Sequence, residues 1–376
     1  MKYAINCARM VDASGRVLER QTILTDGSRI EAVGEHIGPG SEYERVDAEG
    51  LTVTPGLIEA HCHAAADLDD LNEATGPVSV CTRARDAIDP FSKDIPFVRR
   101  AGFTTLCVLP GSANLIGGTG VVIKLKQAQT ASEMSVYGRE PFKMALGENP
   151  RRTYGSRGVL PSTRMGNIML IRRTFEKAKA YLDKKRAGKL DAEDSEMEVL
   201  CSVLTGERRV RIHCHAALDI VSAVEFAEGL GLDFVLEHVS QGEKIAGWLG
   251  SRGVRCCAGP VLLQPIKHEL EKPIVPTLPA ALERSGVEFA LMSDENMAIV
   301  YLPMYVGCCV PFGMSWETGI KALTINAARI LQIDGRTGSI EPGKDADLAF
   351  FNVDPLANTT RCLGTMIDGV FYDRAF

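Results

Sequence analysis

An α/β chain folded as a (β/α)8 barrel of the TIM type, with a small β-sandwich built from both chain ends, is what this sequence predicts. Three observations carry the prediction. Both ends hold short strand-like runs cut by turn signals. The middle alternates short apolar runs with helix-like segments. Five of the seven histidines fall at the C-terminal ends of predicted strands, the face on which such a barrel collects its reactive groups.

At the N-terminal end the apolar runs Tyr3 to Ile5, Thr22 to Leu24 and Ile30 to Val33 are separated by Asp12-Ala-Ser-Gly15, Asp26-Gly27 and Gly38-Pro-Gly40. At the other end Leu348 to Val353 reads as a buried strand, and Asp368-Gly369 within Met366 to Tyr372 is a hairpin signal. Residues 1–54 and 342–376 are therefore assigned to one composite β-sandwich domain, and 55–341 to the barrel.

Within the barrel region the strand candidates are Thr104 to Leu109, Lys143 to Leu146, Val210 to His213, Phe234 to Leu236, Val254 to Ala258 and Phe289 to Met292. Helix candidates are Ile168 to Asp183, Ala217 to Leu230, Glu243 to Leu249 and Trp316 to Leu331. Alternation of this kind implies a parallel sheet. The competing architecture is an open doubly wound sheet, but no GxGxxG opens a helix after a strand, so a dinucleotide-binding fold has no support.

Composition narrows the function classes. A formal charge of −6 with no long basic run argues against a nucleic-acid surface. No stretch reaches the roughly 18 apolar residues that span a bilayer, and the first residues meet charge too early for a signal peptide. The eleven cysteines follow no regular spacing, so a disulfide framework is not expected and a reducing cytoplasm is. The expected partner is a small-molecule substrate, with neither nucleic acid nor membrane; a homo-oligomer is compatible with the sequence.

The chemistry lies in the histidines. His61-Cys-His63 ends the run Val53 to Ala60, His213-Cys-His215 ends Val210 to Ile212, and His238 follows Phe234 to Glu237. Residues i and i+2 of a strand share a face, so each pair can point both imidazoles into one cavity. Neutral imidazole is a good ligand for zinc and related divalent ions. Alone, such a pair is more often structural; the second pair, the third site and nearby acids shift the balance. Asp294 closes the run Val287 to Ser293, where a carboxylate can hold a metal and accept a proton from water. The fourth strand offers Glu148 at its end and Lys143 at its start. Glu148 is favoured, since an ammonium ligates only after carbamylation. The cysteines between the histidines should face outward as packing residues.

Thr54-Pro-Gly-Leu-Ile-Glu-Ala-His-Cys-His63 resembles the first-strand motif of the amidohydrolase superfamily. Gly338-Ser-Ile-Glu-Pro-Gly-Lys-Asp-Ala-Asp-Leu348 resembles that family's return into its small β-domain, and Thr324-Ile-Asn-Ala-Ala328 the helix before it. Leu109 to Asn114, Gly117 to Gly120, Met144 to Pro150 and Pro161 to Gly166 are similar to an imidazolonepropionase-like branch. The resemblance covers almost the whole chain. It implies metal ligation by His61, His63, Glu148, His213, His238 and Asp294, with His215 on substrate or behind the ligands.

Around this set, Asn114 and Gly117, Gly118 and Gly120 suggest a loop of exposed N–H groups. Arg151, Arg164 and Tyr154 are candidates to bind substrate, and Gln264 and His268 lie on a segment that can cover the site. The implied reaction is hydrolysis of an amide or related C–N bond with one or two divalent ions, zinc being expected, and Asp294 as general base. Deamination of an aminated heterocycle is the alternative, and a non-catalytic binding barrel the alternative of another class.

Overall fold

The structure is a computed structural model and describes residues 1–35, 37–136, 138, 140–261, 267, 270 and 276–376. Strands run in chain order as β1 (Lys2–Val11), β2 (Val17–Asp26), β3 (Arg29–Glu35), β4 (Glu44–Pro55), β5 (Leu57–Cys62), β6 (Phe103–Val108), β7 (Ile116–Thr119), β8 (Val121–Lys124), β9 (Phe142–Ala145), β10 (Val210–Cys214), β11 (Phe234–His238), β12 (Arg255–Ala258), β13 (Phe289–Leu291), β14 (Leu348–Phe351), β15 (Cys362–Ile367) and β16 (Val370–Tyr372).

Strands from both chain ends pair in one hydrogen-bonded sheet of order β16-β15-β14-β4-β1-β2-β3 rather than in two stacked sheets. β4, twelve residues long, joins the halves by pairing with β1 on one side and β14 on the other. Register shifts at Cys7/Arg9, Leu24/Thr25 and Phe350/Phe351 add twist, which lets a single sheet gather a core on one face. That core takes Ile5, Ile23, Val46, Val53, Leu348, Phe350 and Met366. Along β14 the alternate residues Ala349 and Phe351 join the other core, under the helices. Asp368-Gly369 makes the expected hairpin, both residues having positive φ (50° and 75°).

Among the described residues, eight staves build the central body. β10 pairs in parallel with β9 and β11, β11 with β12, and β12 with β13. β5 and β6 pair in parallel separately. The third stave was not foreseen. Residues 116–124 run antiparallel to both neighbours, β7 against β9 and β8 against β6, and so link two sheets otherwise separate. Between β13 and β5 two backbone bonds replace a ladder: Asp294 N–H to His61 O (3.3 Å) and His63 N–H to Glu295 O (3.0 Å).

Most central staves are buried along their whole length, which is why they read as short apolar runs without polar alternation. The hydrophobic residues Val210, Ile212, Cys214, Leu236, Cys256 and Ala258 pack outward under the helices. Ile58, Ala60, Val235, Cys257, Ala290 and Met292 fill another cluster with Ala327 and Ala328. Cys62 and Cys214 sit in the outward core, as strand alternation requires.

Among the helices, Ala217–Leu230 forms with the bounds expected and stops at Gly231, which adopts φ 66° as a left-handed cap. The expected helix over 316–331 is broken into Trp316–Ala322 and Ile325–Ile330. The carbonyl of Leu323 is diverted to accept the N–H of Ile58 at 2.8 Å, fastening the last helix to β5. The run from Glu243 begins as a 3-10 turn, Gly242–Ile245, before Ala246–Ser251. No described helix is long and apolar enough to cross a membrane.

Candidate metal centre

The C-terminal ends of β5, β10, β11 and β13 bring five histidines and an aspartate together. Two donor groups result, His61 with His63 and Asp294, and His213 with His215 and His238; within each, the candidate ligand atoms lie within 4.8 Å of one another. The groups adjoin, because the rings of His61 and His238 are 5.5 Å apart. His238 and Asp294 both hold positive φ, 69° and 58°. Non-glycine residues pay roughly 1–3 kcal/mol for such backbone and keep it where the surroundings enforce it.

Hydrogen bonds fix which nitrogen of each ring faces the cavity. His63 Nδ1 lies 3.1 Å from the carbonyl of Leu109, and His238 Nδ1 lies 3.0 Å from that of Gly259. His61 Nδ1 lies 2.7 Å from Glu237 Oε2. Carbonyls and ionised carboxylates only accept, so Nδ1 carries a proton in all three rings, and in His61 and His238, which burial keeps neutral, Nε2 keeps its lone pair. His215 Nδ1 contacts Ser240 Oγ at 2.8 Å. The Nε2 atoms of His215 and His238 are buried with no hydrogen-bond partner among the described residues.

Below the imidazoles lies a fully buried charge network. Glu237 takes His61 on one oxygen and the Nε of Arg211 on the other, and Arg211 Nη2 also donates to Ala60 O at 2.9 Å. Burial opposes the charge on Glu237, but Arg211 and His61 overcome it and hold the carboxyl down at about 2. Lys143 is 1% exposed and its Nζ lies 3.1 Å from His61 Nε2. Desolvation lowers its pKa from the usual lysine range, despite the pull of Glu237 and Asp294. Burial likewise drives His61 down to about 4 and His215 to about 3, aided by nearby ammonium groups, so these imidazoles are neutral near pH 7. Glu59 carries the opposite shift. Burial raises it to about 8, although the backbone N–H groups of His61 and Ser293 both donate to its carboxyl.

The remaining predicted residues are placed differently. Glu148 belongs to neither donor group; it starts the helix Glu148–Gly155 and its Oε1 accepts from Arg152 Nη1 at 2.9 Å, while Lys143 occupies the position beside His61. Side-chain direction decides this. Lys143 points inward from within β9, and its long stem carries Nζ up to the cavity. Arg164 forms a two-pronged pair with buried Asp219, at 2.8 and 2.9 Å, between the first turns of the helices Arg164–Arg186 and Ala217–Leu230. Asn114 donates to Glu73 O at 2.7 Å and accepts from Tyr154, whose hydroxyl also reaches Gly76 O; both hold the 73–79 segment in place. Arg151 donates from Nε to Gly147 O at 3.0 Å. The glycines at 117–120 form buried strand rather than an open loop: a Cβ on Gly118 would lie 2.2 Å from Thr82 O, and the N–H groups of Thr119 and Gly120 go to Thr82 and Pro141. Gln264 and His268 lie outside the described residues.

Sequence reasoning missed Glu237, Arg211 and Ser240. The signal for Glu237 was its place immediately before His238. That position puts it on the opposite face in an ideal strand, but the parallel register of β10 and β11 sets it opposite His213, within the interior.

These donors suit a divalent cation. Three imidazole Nε2 atoms converge with a carboxylate, each ring held behind by a protein acceptor, which is how proteins orient imidazole ligands to metals. A third cluster, Asp345 with Asp347 and Asp368, is instead occupied by the Lys124 ammonium, whose Nζ contacts all three, with Arg29 and Arg336 also on Asp345 and Lys126 on Asp368.

The sequence pattern of the amidohydrolase family matches residues 52–372. Amidohydrolase tasK of Hapsidospora irregularis is 29% identical over 359 residues, which is 86% of this chain and only 36% of that protein. An imidazolonepropionase of Pseudomonas paraeruginosa is 25% identical over 399 aligned residues, covering 93% of this chain and 91% of the relative. Among solved structures, an amidohydrolase from Thermotoga maritima MSB8 superposes with a TM-score of 0.94 at 35% identity, over 99% of this chain and 100% of its own.

Proposed function

Because the chain belongs to the amidohydrolase family, we propose that it is a metal-dependent hydrolase that cleaves an amide or other non-peptide C–N bond of a small molecule, with cyclic amides and N-acyl compounds as the substrate classes. The observation that carries this reading is the common orientation of His61, His63 and His238, each with Nδ1 tied to an acceptor and Nε2 turned to the cavity.

His61, His63 and Asp294 would hold one ion, and His213 and His238 a second, with zinc the best match to imidazole and carboxylate donors. Such ions, when bound, supply acidified water and polarise the scissile group. Lys143 joins the ligands after carbamylation. Burial and the lowered pKa favour the neutral amine, which would add carbon dioxide and release a proton to become an anionic carbamate donor.

The chain's own steps follow. Asp294 accepts the proton of the attacking water and delivers it to the departing nitrogen. Glu237, fixed by Arg211, keeps the ring of His61 in place throughout. Kinship with proteins named imidazolonepropionase puts imidazolones and related cyclic amides first for assay.

The test is metal analysis of the purified chain, then turnover on cyclic amides, N-acyl amino acids, dipeptides and aminated heterocycles. The expected result is bound divalent metal and a ring-opened or cleaved product without free ammonia. Ammonia release would favour deamination, and a chain that takes up no divalent metal would end the reading.

A further inference from the structure

Resting on the reading that this chain binds divalent cations, we propose that His215 is the third imidazole of the second cation site, which His213, His215 and His238 then hold without needing Lys143. The ligand atoms of these three residues lie within 4.8 Å of one another. Ring centroids are 4.7 Å apart for His213 and His215, 4.3 Å for His213 and His238, and 4.3 Å for His215 and His238.

The backbone builds this triangle. His215 stands two residues after His213 and so returns to the same face of the chain. Its carbonyl accepts the N–H of Gln241 at 2.9 Å, and the N–H of Val239 reaches Cys214 O at 3.1 Å, tying the ends of β10 and β11 together. Ser240, two residues after His238, then meets His215 Nδ1 at 2.8 Å. This anchors the ring from behind, as Gly259 anchors His238.

The rival role is contact with substrate through an Nε2–H. The ring geometry speaks against it. His215 and His238 are stacked with planes 24° apart, and both Nε2 atoms are buried without a partner among the described residues. The Nε2 of His238 is a lone pair, since its Nδ1 donates to a carbonyl. The stacked planes hold an Nε2–H of His215 out of line with the His238 lone pair, so that proton would be buried with no acceptor among the described residues. With Ser240 accepting from Nδ1, His215 Nε2 presents a second lone pair beside that of His238, and a divalent cation satisfies both. Three neutral imidazoles with an open position also form the donor set typical of catalytic zinc sites.

The experiment is titration of the metal-stripped full chain with Co2+ in bicarbonate-free buffer, followed by calorimetry and by the visible spectrum of the bound ion. Wild type, His215→Ala and His215→Gln are compared, with thermal unfolding of each metal-free form as the folding control. Wild type should show two classes of site. Both variants should bind one class unchanged and the other at least about tenfold more weakly, the lower bound for even the outer partners of a ligand, with an altered spectrum. Two classes of unchanged affinity and spectrum in a folded variant would overturn the assignment, whatever happens to turnover. A wild type that binds no ion at all would instead overturn the underlying function.

Discussion

Nε2 of His63 faces Oδ1 of Asp294 at 3.3 Å while its Nδ1 is turned to the Leu109 carbonyl, so with a neutral ring this is an approach of two acceptors. His61 Nε2 stands at the same distance from the same oxygen. A proton on one ring relieves this arrangement for one pair; a divalent cation relieves it for all three atoms.

Asp294→Asn tests the aspartate directly. The amide no longer accepts the proton of water, so turnover at matched metal content should fall about 10²–10⁴-fold. The amide N–H can also donate to a facing imidazole. The metal-free variant should therefore unfold at the same temperature as wild type or higher. Unchanged turnover would end the general-base assignment.

Lys143→Ala should lose activity, and short carboxylic acids should restore part of it by standing in for the carbamate. Wild type prepared with carbon-13 bicarbonate should show a carbamate resonance that disappears in the variant. A resonance absent from active, metal-loaded wild type would rule out the modified lysine.

The fold was legible in the sequence where one physical signal sufficed. Buried staves read as short apolar runs, and the helix Ala217–Leu230 has a clear stop at Gly231. The antiparallel stave at 116–124 was hidden because glycines leave no pattern of alternation; their purpose, close passage under Thr82, is a tertiary fact. The single bent sheet was hidden for a similar reason, since bulges depend on pairing. Of the site, the histidines stood out by spacing alone. Lys143 did not, because a lysine in mid-strand shows its reach only when its neighbours are known, and Glu148 at the strand end had the better position on paper.

Glu237→Gln should weaken cation binding about 10–100-fold, because the ring of His61 loses its ionised anchor. It should also lower stability by about 3–5 kcal/mol, since Arg211 is left buried without a counter-charge. Denaturant unfolding of the metal-free form separates the two effects. A loss of cation affinity with no loss of stability would mean Arg211 is neutralised elsewhere.

Acid should destabilise the metal-free protein early. His61 and His215 are neutral in the fold, with pKa values of about 4 and 3, and His213 and His238 are shifted in the same direction. Their unfolded forms take up protons from about pH 6.5 downward, so the unfolded state binds more protons. Stability then falls as pH drops from 6.5 through 4 and towards 3. Glu59, raised to about 8 by burial, acts oppositely: the stability it contributes is full below about 4.5 and is lost as pH rises through 8. Thermal unfolding across this range should show a maximum between the two limbs, and His61→Gln should flatten the acid limb. A flat acid limb in wild type would refute the burial argument.

Lys124 joins β8 to the terminal sheet. Its buried ammonium contacts Asp345, Asp347 and Asp368, and their attraction raises its pKa despite desolvation. Asp347 also accepts from Thr337 and from the backbone of Asp368, so it cannot turn away to solvent. Lys124→Met keeps the stem and removes the charge, leaving buried carboxylates to repel one another. We expect a loss of about 3–5 kcal/mol in denaturant unfolding at pH 7. The loss should shrink in acid, where Asp347, whose carboxyl burial already raises, can take a proton, although the histidine limb lowers both proteins there. It is therefore the difference between variant and wild type that must narrow. A difference that stays constant with pH would show that relief of the facing carboxylates is not what the ammonium contributes.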